Sequence, residues 1–288
     1  MANILVTGAG GQLGRQILER AGNGELEHTT VGTTSAELDI TDPAAVAAAV
    51  MPGMVVVNCA AYTAVDAAET DEARAMAVNA DGPRNLAEAC ARVGARLIHI
   101  STDYVFDGTS TTPYEPDAST APQGAYGRTK LAGEQAVLRV LPTAHVVRTA
   151  WVYTGSGSDF VSTMRRLEGE RDTVRVVDDQ VGSPTYSWDL AGGVLELVTA
   201  NQVHAPILHA TNRGTASWYE LAREVFAGVG ADPDRVKRCS SSEYVRPAPR
   251  PAYSVLSAEA WARAGLTPLR DWRDALADAL AVSGPATT

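Results

Sequence analysis

A tyrosine followed four positions later by a lysine, in Tyr126-Gly127-Arg128-Thr129-Lys130, is the arrangement in this chain best suited to chemistry. On a helix the two side chains share a face. An ammonium beside a phenol stabilises the phenolate, lowers the phenol's pKa and makes Tyr126 a usable proton donor near neutral pH. The choice of lysine is itself informative, because of 24 basic residues only Lys130 and Lys237 are Lys. Where charge alone is wanted this sequence uses arginine, so a compact ammonium at 130 points to a chemical requirement that a planar guanidinium does not meet. Taken alone, the pair also fits a Tyr–Lys contact on a surface.

Two further segments supply what a Tyr–Lys pair needs. Ser101-Thr102-Asp103-Tyr104-Val105-Phe106-Asp107-Gly108 follows the apolar run Leu97–Ser101 and leaves it at its C-terminal end, where open α/β sheets place ligands. There Thr102 would orient and polarise a carbonyl, Tyr126 deliver a proton to it, and Lys130 tune Tyr126 and hold a nicotinamide ribose. The hydride would come from the cofactor. In Val6-Thr7-Gly8-Ala9-Gly10-Gly11-Gln12-Leu13-Gly14, the spacing of Gly8, Gly11 and Gly14 allows a tight turn, close approach to a pyrophosphate and tight helix–strand packing. A Gly-rich turn without a ligand is the plainer alternative. The second strand ends in Gly32-Thr33-Thr34-Ser35, with no acid among them to bind a ribose 2′-hydroxyl, so NADPH is expected to serve at least as well as NADH. Thr34 is the central hydroxyl of that loop, and Arg15 the nearest candidate cation. Asp39 could serve the adenine or be an ordinary residue near a helix start.

These residues need a parallel sheet to bring them together. Short apolar runs at Ile4–Val6, Thr29–Thr33, Val55–Cys59, Leu97–Ser101 and Val146–Thr149 alternate with helical segments after Gly11, after the Asp42-Pro43 cap, over Asp71–Arg92 and over Ala125–Val140. The fold class is therefore α/β, a Rossmann-like doubly wound parallel sheet with a smaller C-terminal α/β lobe. Residues 1–150 form the NAD(P)-binding domain. Residues 151–288 form mainly the substrate lobe, part of which can return to the sheet. A Pro- and Arg-rich stretch spans Arg246–Pro251, an amphipathic helix Leu269–Leu280 follows, and 284–288 reads as a frayed tail.

Composition excludes several other classes. With 288 residues and 45% apolar content the chain can bury a full core, and no apolar run nears the roughly 20 residues of a membrane span. A net charge of −10 argues against nucleic acid or an anionic membrane as partner. Cys59, Cys90 and Cys239 are unpaired in spacing, no secretion signal is visible, and the expected location is cytoplasmic. The five His residues show no metal-ligand spacing, and no metal is expected.

The chain resembles the extended short-chain dehydrogenase/reductases, and among them the dTDP-4-dehydrorhamnose reductases along almost its whole length. The stretches that carry this are Asn58-Cys59-Ala60-Ala61-Tyr62-Thr63-Ala64-Val65-Asp66, Ser101–Gly108, Tyr126–Glu134, Arg148-Thr149-Ala150-Trp151-Val152-Tyr153 and Asp179-Gln180-Val181-Gly182-Ser183-Pro184-Thr185. The resemblance implies reduction of the 4-keto group of dTDP-4-dehydro-L-rhamnose by NADPH or NADH. It further implies that Gly11, Gln12 and Leu13 hold the pyrophosphate, Asp39 and Ile40 the adenosine end, and Ala61, Tyr62 and Thr63 the ribose and phosphate side. Thr102, Asp103 and Trp151 would contact the sugar, with Val65, Tyr104, Arg250 and Tyr253 as further candidates for the substrate pocket. Trp151 also fits a plain core residue, and Arg246 and Arg250 also fit solvated loop charges. Some members carry acidic residues that bind magnesium between subunits. Gln16 and Trp188 stand at the matching positions, so the expectation of no metal holds and the chain is left as a monomer or homodimer. A dTDP-sugar 4,6-dehydratase would need an acid where Tyr104 stands. A reductase for another dTDP-deoxysugar, and a non-catalytic regulatory subunit, are the remaining rivals.

Overall fold

The computed structural model describes residues 3–25, 29–200 and 202–282, and the expected tail at 284–288 lies outside them. Six parallel strands form the main sheet: β1 Ile4–Thr7, β2 Thr30–Thr33, β3 Val55–Asn58, β4 Arg96–Thr102, β5 His145–Thr149 and β6 Ile207–His209, in the spatial order β6-β5-β4-β3-β1-β2. The doubly wound α/β class read from the sequence is the one observed. The last strand comes from beyond residue 150, and Ile207–His209 pair with Val146–Arg148 at the sheet edge.

Alternate strand residues supply two different cores, as parallel strands covered on both faces require. On one face Ile4, Val6, Val55, Val57, Ile98 and Val147 pack with helix α1 (Gln12–Arg20) and with Leu190, Val194 and Trp261. On the other, Leu5, Val56 and Leu97 pack with residues of α2 (Pro43–Ala49), α3 (Gly82–Val93) and α4 (Ala125–Val140). The Asp42 side chain accepts from the amides of Ala44 and Ala45 and so starts α2 as the Asp-Pro pair suggested. Helix α4 has the bounds read from sequence.

The helix expected over Asp71–Arg92 runs without a break from Glu72 to Val93 but is not regular throughout. A turn over Glu72–Met76 widens into a π-helical turn at Ala77–Asp81 before α3 begins. The wide turn brings Asn79 inward, where its amide group bonds both the backbone of Tyr62 (2.8 and 3.1 Å) and the Thr129 hydroxyl (3.1 Å). Such bulges recur where a helix gives up regularity to place a side chain.

A third core gathers Tyr153, from the short strand Val152–Tyr153, with Val161, Met164, Val225, Phe226 and Trp272 from the helices Phe160–Glu170, Trp218–Gly228 and Trp272–Val282. Val174–Val177 pairs there with Val236–Cys239 in parallel. The C-terminal helix starts three residues later than the expected Leu269, because Asp271 supplies the amide contacts of its first turn. No described helix is long and apolar enough to cross a membrane.

The contact between α4 and the π-helical turn has no slack. A Cβ on Gly133 would lie 2.0 Å from the Asn79 carbonyl oxygen. Gly133→Ala is expected to destabilise the protein by about 1–3 kcal/mol, the usual range for overpacking, as read from the midpoint of urea unfolding at unchanged m-value.

Candidate active site

A cleft of about 680 Å³ opens over the C-terminal ends of β1 to β5, at the boundary with the third core. Its floor at one end is the glycine loop. Gly8 has φ 69°, and a Cβ there would sit 2.5 Å from the Ala60 backbone nitrogen. A Cβ on Gly14 would meet the Gly8 carbonyl at 2.4 Å. Only glycine tolerates either approach, and the result is a bare backbone surface in the cleft. Gly11 caps α1 without any side-chain acceptor, so the first amides of that helix face the cleft with the positive end of the helix dipole. Such a terminus accepts a pyrophosphate.

Of the residues read from sequence, Gly8, Gly11, Gln12, Leu13, Gly14, Thr34, Asp39, Ile40, Ala61 and Thr63 line this cleft, as do Val65, Thr102, Asp103, Tyr104, Tyr126, Lys130 and Trp151. Tyr62, Arg250 and Tyr253 do not line it. Tyr62 is tied through its backbone to Asn79, while its side chain packs, as does that of Tyr126, on the cluster of Ala68, Ala75 and Ala125. Arg250 pairs with Asp66 at 3.0 Å, and Asp66 also holds Arg246. Tyr253 donates its backbone N–H to the Gly108 carbonyl, and its ring joins the small cluster around Phe106 and Tyr114.

The chemical groups converge from β4 and α4. The Thr102 hydroxyl lies close enough to the Tyr126 phenol to favour its ionised form, and it donates to Asp103 Oδ1 at 3.0 Å. Lys130, 2% exposed, donates from Nζ to the Ile100 carbonyl at 2.7 Å. Burial lowers its pKa to about 8, against the pull of the Glu134 carboxylate. The Tyr126 phenol departs from the sequence expectation. Its pKa is pushed up to about 12 by burial, with Thr102 opposing and Asp103 adding to the rise. Desolvation of the phenolate dominates here, and one donor of the Lys130 ammonium is bound to the Ile100 carbonyl.

Beneath this set lies an ion pair. Arg148 and Glu134, each 2% exposed, meet through two bonds of 2.9 and 2.7 Å, and Glu134 also accepts from Ser101 Oγ at 2.5 Å. Arg148 donates its remaining Nη1 to the Pro116 carbonyl and stacks over Phe106.

Trp151 is the sole non-glycine residue with positive φ, 47°, among the described residues. Its indole stacks on Trp218 at 3.6 Å, and a Cβ on Gly182 would lie 2.4 Å from it, so the ring is gripped from both sides. Trp218 also lines the cleft, and nothing in its sequence neighbourhood marked it. A capping box of Ser217 and Glu220 aims it there as the first residue of its helix.

The hydroxyl loop needs a correction. Thr34 donates from both its backbone N–H and its hydroxyl to the Glu37 carboxylate, each at 2.8 Å. An acid is therefore present at the end of β2, three residues past Thr34, and it occupies the donors expected for a 2′-phosphate. Those bonds, the backbone one first, lower the Glu37 pKa, so it is an anion at neutral pH. Asp39 instead accepts from the Thr41 amide and hydroxyl, and Ile40 is buried against Gly82. At the two positions considered for a metal, Gln16 bonds Glu19, and the Trp188 ring lies under the Arg20 guanidinium.

The model of the RmlD substrate binding domain family matches residues 1–284. The chain belongs to that family. It is 57% identical to a dTDP-4-dehydrorhamnose reductase of Mycobacterium tuberculosis, over 99% of this chain and 94% of the relative. It is 52% identical to a probable dTDP-4,6-dihydroxy-2-methyloxan-3-one 4-ketoreductase of Streptomyces antibioticus, over 96% of this chain and 93% of that one. Among solved structures, a dTDP-4-dehydrorhamnose reductase of Bacillus anthracis in complex with NADP superposes with a TM-score of 0.91 at 36% identity, covering 98% of this chain and all of that one.

Two outcomes follow from the site. Glu37→Gln removes an anion beside the hydroxyl loop and should raise the ratio of kcat/KM for NADPH over NADH by roughly threefold to tenfold, as small electrostatic changes at partly exposed sites do. An unchanged ratio would show that Glu37 does not reach the 2′ position. Asp103 is 2% exposed, and burial pushes its carboxyl up to about 6. The folded state therefore binds its proton more tightly than the unfolded chain, and the ionised carboxylate weakens stability as pH rises from about 4 through 6. Asp103→Asn should stabilise the fold above pH 6 by on the order of 1–3 kcal/mol, with the gain vanishing near pH 4, measured by denaturant unfolding across that range.

Proposed function

We propose that this chain reduces the 4-keto group of dTDP-4-dehydro-β-L-rhamnose, with NADPH or NADH, to give dTDP-L-rhamnose. The observation that carries the chemistry is the convergence of Thr102, Tyr126 and Lys130 on one cleft beside the uncapped start of α1. The names of the relatives carry the choice of sugar.

The nicotinamide supplies the hydride when bound, and Gln12 and Leu13, which line the cleft at the start of α1, would hold the pyrophosphate through their amides. Thr102 hydrogen-bonds the keto oxygen and sets its angle to Tyr126. As that oxygen gains alkoxide character, Tyr126 gives it the phenolic proton. A raised pKa does not block this step, because an alkoxide is a far stronger base than a phenolate. It does keep the phenol protonated until the oxygen needs the proton. Lys130 then stabilises the phenolate left behind, and Trp151 and Trp218 offer an apolar wall to the deoxysugar.

A reductase acting on a different dTDP-4-keto deoxysugar is the second reading, favoured by the similarity to the Streptomyces antibioticus 4-ketoreductase. The test is a coupled assay from dTDP-glucose with a dehydratase and an epimerase, with and without this protein. NADPH oxidation with dTDP-L-rhamnose as the product, identified by NMR, supports the first reading. A different sugar supports the second, and no oxidation removes both. Tyr126→Phe should lower kcat by roughly 10²–10⁴ while NADPH still binds by fluorescence titration. Turnover within a few-fold of the parent would remove Tyr126 as the acid.

A further inference from the structure

Helix α4 presents Tyr126, Lys130 and Glu134 at successive four-residue steps, so all three point along one face. Each meets the last residues of β4: Tyr126 the Thr102 hydroxyl, Lys130 the Ile100 carbonyl, and Glu134 the Ser101 hydroxyl. Ser101 in turn pairs in register with Arg148 on β5, the other partner of Glu134. One carboxylate thus joins α4, β4 and β5 directly beneath the proton-delivering groups. Neither composition nor the proton-transfer chemistry requires a charge there, and a buried pair of this kind is no stronger for folding than apolar residues of the same shape.

We propose that Glu134 is a positioning residue for the reduction: it clamps α4 over the end of β4 so that Thr102, Tyr126 and Lys130 meet, and it keeps the buried Lys130 ammonium charged. This rests on the reduction proposed above. The charged and titratable groups that act on Lys130 are Glu134 on its own helix, Cys59 after β3 and His99 on β4, with Tyr126 one helical turn before it and Asp103 acting on Tyr126. Arg148 reaches the group only through Glu134. Burial holds the His99 imidazole well below its usual range and pushes the Cys59 thiol up to about 12, so both are neutral at pH 7. Glu134 is the carboxylate that favours the charged form of Lys130.

Three variants separate positioning from mere support: Glu134→Gln, Arg148→Met, and both together. Either single change strands a buried charge or its acceptor and should lower the melting temperature. The double variant removes both members of the ion pair, leaves only Lys130 without its carboxylate, and should recover most of the loss. The expectation for the double is a melting temperature near the parent's, with kcat still lower by roughly 10- to 100-fold and the sugar KM within threefold, because sub-ångström misplacement of reacting groups acts on turnover. A direct readout does not depend on activity. The chain has only two lysines, so protein labelled with ¹³C at lysine Cε gives two NMR signals, with exposed Lys237 as reference. Without the Glu134 carboxylate, the Lys130 signal should titrate at lower pH than in the parent. Recovery of kcat together with melting temperature, or an unmoved Lys130 titration, would overturn the proposal. So would a double variant that fails to fold, since the pair would then serve folding alone. A parent inactive on every 4-keto sugar would remove the reduction, while the NMR titration would still judge the Lys130–Glu134 coupling.

Discussion

A lysine ammonium held at 2% exposure is the constraint around which this molecule is arranged. An isolated charge at that depth would discharge, and burial already brings Lys130 down to about 8. What keeps it serviceable is a carbonyl at one side and a carboxylate one helical turn on. That carboxylate needs its own counter-charge, which Arg148 supplies in a bidentate pair, and Arg148 needs a place in a strand whose every residue is buried. Breaking a buried pair of this kind from one side typically costs about 3–5 kcal/mol. The chain of dependence runs from the ammonium through α4 into two central strands, so chemistry and sheet are mechanically one unit.

The close packing of α4 follows from the same demand. Lys130 reaches the Ile100 carbonyl only if the helix lies low on the sheet, and Gly133 removes the side chain that would hold it off the Asn79 carbonyl. Asn79 in turn grips the backbone of Tyr62, on the loop whose neighbours Ala61 and Thr63 line the cleft. The cofactor side and the proton-delivery side are therefore set relative to each other by one amide side chain. The irregular π-helical turn is what lets that side chain point inward.

The same desolvation governs the acids of the site. Tyr126 and Asp103 are both shifted upward by burial, which keeps the phenol protonated and leaves Asp103 near its midpoint in mildly acidic solution. At the far end of the cleft solvent returns, and Glu37 and Asp39 are ordinary anions locked into local turns by Thr34 and Thr41. A steep change in effective dielectric along one cleft gives buried groups for proton transfer and exposed ones for recognition.

Sequence alone determined the sheet, the glycine loop and the Tyr126–Lys130 pair, because each is written locally: alternating apolar runs, glycines that only a backbone approach explains, and a four-residue helical spacing. It also showed the hydroxyl of Thr102 at a strand end, where a parallel sheet places ligands. Signals for the ion pair were present but unread, in Arg148 directly after the buried Val146-Val147 pair and in Glu134 one turn past Lys130. The remainder belongs to the tertiary structure. Partners far apart in the chain, such as Trp151 with Trp218 or Asn79 with Thr129, have no local pattern. Glu37 turns back on Thr34 through loop geometry that composition does not reveal. The sign of the Tyr126 shift was decided in three dimensions as well, since spacing puts an ammonium near a phenol, whereas only the packed structure says how much water both have lost and that the ammonium is already bound to a carbonyl.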